Sequence, residues 1–346
     1  MMRLCAMLVI CLLGSLLSVQ AQAVAPDPKW SVGFHRLAFL DPLDQQPMEA
    51  IAFYPSSAPE RSSTLDGFKL DATEEADIAI GRFPMLMVSH GNYGTPLALR
   101  DVATALARQG FVVVAVIHPG DNYRDHSRTG KVSNLYGRPM QISAAITASL
   151  ADPMLSAYVD AKRVGVVGYS AGGETALILA GAQPDFQRLR AYCQRYPSDE
   201  DACTTGGVLE ADRSDLKPMA DPRVHALVLM APLALMFGRH GLAGVHIPVL
   251  LYSGAADQLL LVDQNAGALA RKLPLAPSYH LLDGAGHFVF MAPCDAQERE
   301  ASPGLCTDAR GVDRAGIHRS MNAEAGRFFS NTLGSTRYGV QMASQE

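Results

Sequence analysis

Two unbroken apolar runs, residues 84–88 and 111–117, set the reading of this chain. Between them lies a stretch of helical period over residues 97–108, closed by Gly110. Short all-apolar strands separated by amphipathic helices are what a parallel sheet buried on both faces requires. The rhythm recurs downstream. Residues 163–167 read as a strand and 171–182 as a helix rich in Ala and Leu, and strands are expected at 224–230 and 247–252. A helix over 264–272, a last strand at 278–282 and a closing helix at 314–331 complete the series. Upstream, strands at 32–40 and 49–54 form a leading sheet, followed by a polar Ser/Pro/Asp-rich loop over 56–75. The pattern predicts an α/β fold with a mostly parallel central sheet and helices on both faces.

One segment breaks the rhythm. Residues 184–223 are charged, dotted with Pro, and carry Cys193 and Cys203. A connection of that length inside a compact domain is usually functional or disordered. It reads either as a cap over the mouth of a site or as a surface excursion pinned by a disulfide.

The first residues carry a different pattern. Arg3 precedes an apolar run over 6–19, and Ala21-Gln22-Ala23 has the small-x-small form that signal peptidase accepts. The run is short for a membrane span, so residues 1–23 are expected to be a signal peptide and 24–346 the mature domain, periplasmic or secreted. An uncleaved anchor is the alternative. Removing the leader also removes Cys5 and Cys11, leaving Cys193, Cys203, Cys294 and Cys306. Four cysteines allow three connectivities, and the local choice joins Cys193 to Cys203 and Cys294 to Cys306. A zinc site competes poorly, because neither pair has C-x-x-C spacing.

Composition narrows the function. With 48% hydrophobic and 18% charged residues and a formal net charge of −5, the chain has the balance of a protein with one large core. Its Lys and Arg residues form no basic run, which argues against a nucleic-acid partner. No metal cluster, P-loop or dinucleotide fingerprint appears, so no cofactor is implied.

The chemistry centres on Gly168-Tyr169-Ser170-Ala171-Gly172-Gly173. A bare G-x-S-x-G is a weak signal, but here it follows an apolar strand and opens a helix, the setting of a nucleophile elbow. A serine hydroxyl needs a base, and in this arrangement the order is Ser, acid, His. Of His280, His287 and His318, the second stands in a Gly-rich loop directly after the last strand, where loops gather at the carboxyl edge of the sheet. Asp257 follows a strand and a Gly turn and is the expected acid; Asp263 reads as a helix-start residue, and Asp221 precedes its strand. Backbone N–H groups of Ala171 and Asn92 are the expected oxyanion donors, Asn92 lying in the loop Ser89-His90-Gly91-Asn92-Tyr93-Gly94. His90 is expected to hold that loop by hydrogen bonding. His118-Pro119-Gly120-Asp121 reads as a turn or a pocket wall, and Glu174 as a first-turn helix residue.

Together, Ser89-His90-Gly91, the His118-Pro119-Gly120 turn, the Ser170 elbow and Gly286-His287-Phe288 resemble the predicted dienelactone-hydrolase group of the α/β-hydrolase superfamily. That group is similar to the plasma platelet-activating-factor acetylhydrolases. The likeness runs over residues 34–329 and includes the tail from Ala292-Pro293-Cys294 to Leu305-Cys306-Thr307-Asp308. It implies an α/β-hydrolase fold with nucleophile Ser170, acid Asp257, base His287 and oxyanion donors Asn92 and Ala171. One departure matters: true dienelactone hydrolases carry Cys where this chain has Ser. The resemblance therefore implies ordinary carboxylic esters as small-molecule substrates. Secreted polyesterases share the elbow and a late disulfide, which keeps aryl diesters in view, and a peptidase or amidase could use the same residues.

Overall fold

The computed structural model describes residues 30–203 and 207–334. The leader expected over residues 1–23 lies outside the described residues. The chain opens with two long antiparallel strands, β1 (Ser31–Leu40) and β2 (Pro47–Ser56). A small hairpin follows, β3 (Ser62–Leu65) and β4 (Phe68–Asp71), then the two-residue β5 (Thr73–Glu74). The sequence predicts only a polar loop there. These strands are four residues or fewer, and within the hairpin only Leu65 and Leu70 are buried, so no alternation long enough to read is present.

The repeating part begins at β6 (Phe83–Ser89) and continues through α1 (Arg100–Arg108), β7 (Val112–Val116), α2 (Val132–Ala151), β8 (Val159–Tyr169) and α3 (Ala171–Leu179). Next come α4 (Phe186–Arg195), α5 (Glu200–Cys203), β9 (Val224–Met230), β10 (Val249–Gly254), α6 (Ala266–Ala270) and β11 (Ser278–Leu282). The tail holds α7 (Ala296–Ala301), α8 (Pro303–Cys306) and α9 (Arg314–Leu333).

The large sheet has the order β11-β10-β9-β8-β6-β7-β2-β1-β5. Strands β6 to β11 pair parallel with one another, and β2 meets β7 antiparallel. Every residue of β6, β7 and β10 is buried, as unbroken apolar runs demand when both faces are covered. On one face α2, α3 and α6 bring Ile142, Ala145, Leu177 and Leu269 into one apolar layer. On the other, α1 and α9 bring Val102, Leu106, Met321 and Phe329 into a second.

Helix α2 is not evident in the sequence, because Gly137 and Pro139 fall inside it and read as breakers. The 184–223 segment is folded rather than bare loop. Leu189, Tyr192 and Cys193 of α4 join the core, Cys193 is bonded to Cys203, and Val132 and Ser133 at the start of α2 bond Glu210 and Asp212. Cys294 is bonded to Cys306 in the same local manner. Among the described residues no helix is long and apolar enough to cross a membrane.

Candidate active site

Parallel strands deliver their following loops to one edge, and the expected site residues stand on four of those loops. Ser170 directly follows β8 and has φ 55° and ψ −119°, a conformation that costs a non-glycine residue about 1–3 kcal/mol and persists only where its surroundings enforce it. They do. Ser170 N–H donates to the Met230 carbonyl at the end of β9, and Leu233 N–H donates to the Ser170 carbonyl. Tightness of the turn explains its glycines, since a Cβ at Gly168 would fall 2.3 Å from the Gly172 carbonyl oxygen.

His287 opens a short 3-10 turn (His287–Phe290) after β11, with its Nε2 3.1 Å from Ser170 Oγ. Its Nδ1 lies 2.8 Å from Asp257 Oδ2 in the loop after β10. The second carboxylate oxygen of Asp257 accepts the Leu259 and Leu260 N–H groups at 3.0 and 2.8 Å, which fixes the carboxylate plane. With Nδ1–H donating to that carboxylate, Nε2 presents a lone pair to the Ser170 hydroxyl. Asp257 and His287 are 5% and 7% exposed, so this pair is shielded while Ser170 keeps partial access to solvent. The Tyr169 ring lies beneath the imidazole, 5.1 Å between centroids, and its hydroxyl donates to the His287 carbonyl.

The other candidates are engaged elsewhere. His280 lies against Glu324, and Asp263 stands exposed near Arg271. Asp221 is held by Arg223 and Ser143. His318 bridges the Asp101 carboxylate of α1 and the Val289 carbonyl, steadying the turn that begins with His287.

The loop after β6 completes the edge. Gly91 faces Ser170 so closely that a Cβ would stand 3.1 Å from that of the serine. His90 holds the loop as the sequence suggests: its Nδ1–H donates to the Gly91 carbonyl at 2.7 Å, and its Nε2 accepts the His118 N–H at 3.3 Å. Burial and the neighbouring Arg138 guanidinium hold His90 well below the ordinary histidine range, and the same two causes act on His118. Ala171 opens α3, where a backbone N–H faces outward from the helix end.

Glu174 stands in the first turn of α3, as the sequence suggests. It is nevertheless only 9% exposed, and its Oε1 has no hydrogen-bond partner among the described residues. Burial pushes its pKa up to about 8, with Arg138 opposing the rise and Asp121 adding to it. Arg138 itself, a buried cation that touches this edge from below, carried no signal in the sequence. Among the described residues no group of three or more His, Cys, Asp or Glu is arranged to hold a metal ion.

Many solved structures match this chain. The ferulic acid esterase from Streptomyces cinnamoneus superposes with a TM-score of 0.61 at 18% identity, covering 90% of this chain and 92% of that one. The fold is that of the α/β-hydrolases. The model of the dienelactone hydrolase family matches residues 73–206. That stretch contains the Asn92 loop and the Ser170 elbow and ends before Asp257 and His287. No curated protein matches the sequence.

Proposed function

We propose that this chain is an exported serine hydrolase that cleaves carboxylic esters through an acyl-enzyme. The observation that carries the reading is the hydrogen-bonded series Ser170 Oγ, His287 Nε2, His287 Nδ1, Asp257 Oδ2, at 3.1 and 2.8 Å. The dienelactone hydrolase match and the esterase neighbour support the substrate class. Two disulfides, and no helix among the described residues able to span a membrane, are consistent with a periplasmic or extracellular place for the mature chain.

In this reading Ser170 Oγ attacks the ester carbonyl as its proton passes to His287 Nε2. The Asp257 carboxylate stabilises the imidazolium and holds its tautomer. Charge building on the carbonyl oxygen is received by the N–H groups of Ala171 and Asn92. His287 then protonates the departing alcohol, and a water activated by the same nitrogen releases the acid and restores Ser170.

The test uses the purified chain and a fluorophosphonate probe, which labels an activated serine. Labelling that disappears in Ser170→Ala, with hydrolysis of p-nitrophenyl esters that far exceeds that of matched anilides, is expected. Faster cleavage of the anilides would turn the reading to an amidase. Folded protein that takes no label would favour a binding protein without this chemistry.

A further inference from the structure

Beneath the candidate site lies an ion pair that the reaction as described does not use. Arg138 of α2 is 2% exposed and Asp121, in the loop after β7, is 0% exposed; NH1 of the guanidinium donates to Asp121 Oδ2 at 2.6 Å. Burial opposes ionisation of Asp121, but Arg138 and hydrogen bonds from Tyr93 and Asn134 outweigh it and hold the carboxyl below its usual range. Removing two charges from water is expensive, and buried pairs can often be replaced by apolar groups without loss of stability. Stability alone is therefore a poor account of this pair. Its contacts suggest a better one.

An arginine offers five N–H donors in a rigid plane. Here they reach three separate segments. Nε donates to Thr175 Oγ1 on α3 at 3.1 Å, and that hydroxyl donates in turn to the Ala171 carbonyl at 3.0 Å. NH2 donates to Ser89 Oγ at 3.3 Å and to the His90 carbonyl. Across the ion pair, Asp121 Oδ1 accepts the Tyr93 N–H at 3.0 Å. The pair thus grips the chain at the His90 carbonyl and the Tyr93 N–H, on either side of the peptide between Gly91 and Asn92. That peptide's own carbonyl is held by the His90 ring and by the Gly94 N–H. Because a trans peptide points its C=O and N–H in opposite directions, fixing the carbonyl of Gly91 aims the N–H of Asn92.

We infer that Arg138 and Asp121 are positioning residues of the oxyanion site, setting the Asn92 amide on one loop against the Ala171 amide on another element. The inference rests on the ester-hydrolase reading given above. Donors for a developing oxyanion work only when held in advance at the place where the charge will form. Bonds on the Gly91 carbonyl aim the Asn92 amide and the turn at Ser170 aims that of Ala171, but the spacing of the two donors depends on contacts between their segments. A rigid planar cation touching both sides adds to the direct backbone contact of Gly172 with Ser89 in setting that spacing. Lysine keeps the charge at 138 but not the fork, so it cannot bridge Thr175, the His90 carbonyl and Asp121 together.

The test compares wild type with Arg138→Lys, Asp121→Asn and Thr175→Val, using a p-nitrophenyl ester and a trifluoromethyl ketone, whose adduct with a serine carries an oxyanion. The expected result is a kcat lowered about 10- to 100-fold in the first two variants, with KM within about threefold. Affinity for the ketone should fall in step with kcat/KM, and Thr175→Val should show a smaller loss of the same kind. Arg223→Lys, which alters the Asp221 pair at a distance from these contacts, should leave kcat unchanged. Should Arg138→Lys not fold, Asp121→Asn and Thr175→Val carry the comparison.

Variants that are less stable yet match wild type in kcat and ketone affinity per folded molecule would overturn the assignment. So would a loss that lies wholly in KM. A wild type that neither turns over ester nor takes a fluorophosphonate label would remove the ester-hydrolase reading itself, a failure distinct from the first two.

Discussion

Gly172 of α3 and Ser89 at the end of β6 meet backbone to backbone: a Cβ on Gly172 would lie 1.9 Å from the Ser89 carbonyl oxygen. The helix that follows Ser170 and the strand that leads into the Asn92 loop are therefore seated directly on each other. No flexible side chain stands between them to absorb a change. Gly172→Ala should force the two segments apart and cost about 3 kcal/mol or more, read as a fall in the urea midpoint. A midpoint within experimental error of wild type would show that this contact is looser than described.

Asp257→Asn should preserve the shape of the site and remove its proton logic. An amide can donate to Nδ1 and thereby place the proton on Nε2, the nitrogen that has to accept from Ser170. Steady-state kinetics on an ester should show kcat reduced by about 10³- to 10⁴-fold with the protein still folded. Near-normal turnover would mean that another group orients His287.

Glu174 gives a prediction about pH. Its carboxyl has an ordinary pKa of 4.5 and is raised by burial to about 8 in the fold. Between those values the unfolded chain has given up the proton while the folded chain retains it, so rising pH favours the unfolded state across that window. The penalty is absent below about pH 4.5 and complete above about pH 8. Glu174→Gln should remove it, with a stabilisation that is negligible at pH 4 and grows to on the order of 4 kcal/mol by pH 8.5. Chemical denaturation at pH 4, 6 and 8.5 measures this directly. A benefit that is the same at all three would sink the idea.

The bond between Cys294 and Cys306 closes a short loop, with a sequence separation of 12. It ties the tail to α9, since Arg314 bonds Asp308 and the Leu305 carbonyl. Replacing both cysteines by serine should lower stability by about 3 kcal/mol. Peptide mapping without reduction should recover the two cysteines in one linked fragment, and free thiols at these positions would contradict the pairing.

What could be read in the chain was whatever the sheet writes as continuous apolar runs. Strands β6 and β7 are buried along their whole length, so they stand out, and the elbow at Ser170 is identified by the strand before it and the helix after it. His287 was legible because its Gly-rich loop follows β11. The hairpin β3–β4 was hidden by its brevity, and α2 by Gly137 and Pro139. The burial of Arg138, Asp121 and Glu174 was illegible for a different reason. A charged residue looks solvated until folding places it inside, and Arg138 and Asp121 are 17 residues apart with nothing in the local pattern to join them. The position of Glu174 in the first helical turn was correctly read, but its burial comes from the packing of α3, not from its neighbours in sequence.

The strand order has one more implication, for how the molecule fails. Ser170 and Asp257 follow β8 and β10, each hydrogen-bonded on both sides, whereas His287 follows β11, which among the described residues pairs with β10 alone. The border of a sheet loosens before its middle. Against that, His318 and Asp101 form a brace between the turn after β11 and helix α1. On gradual heating His287 should leave its place while the central strands are intact, so that the proposed hydrolysis fades several degrees before the circular dichroism of the sheet, and removing the brace with His318→Ala should widen that gap.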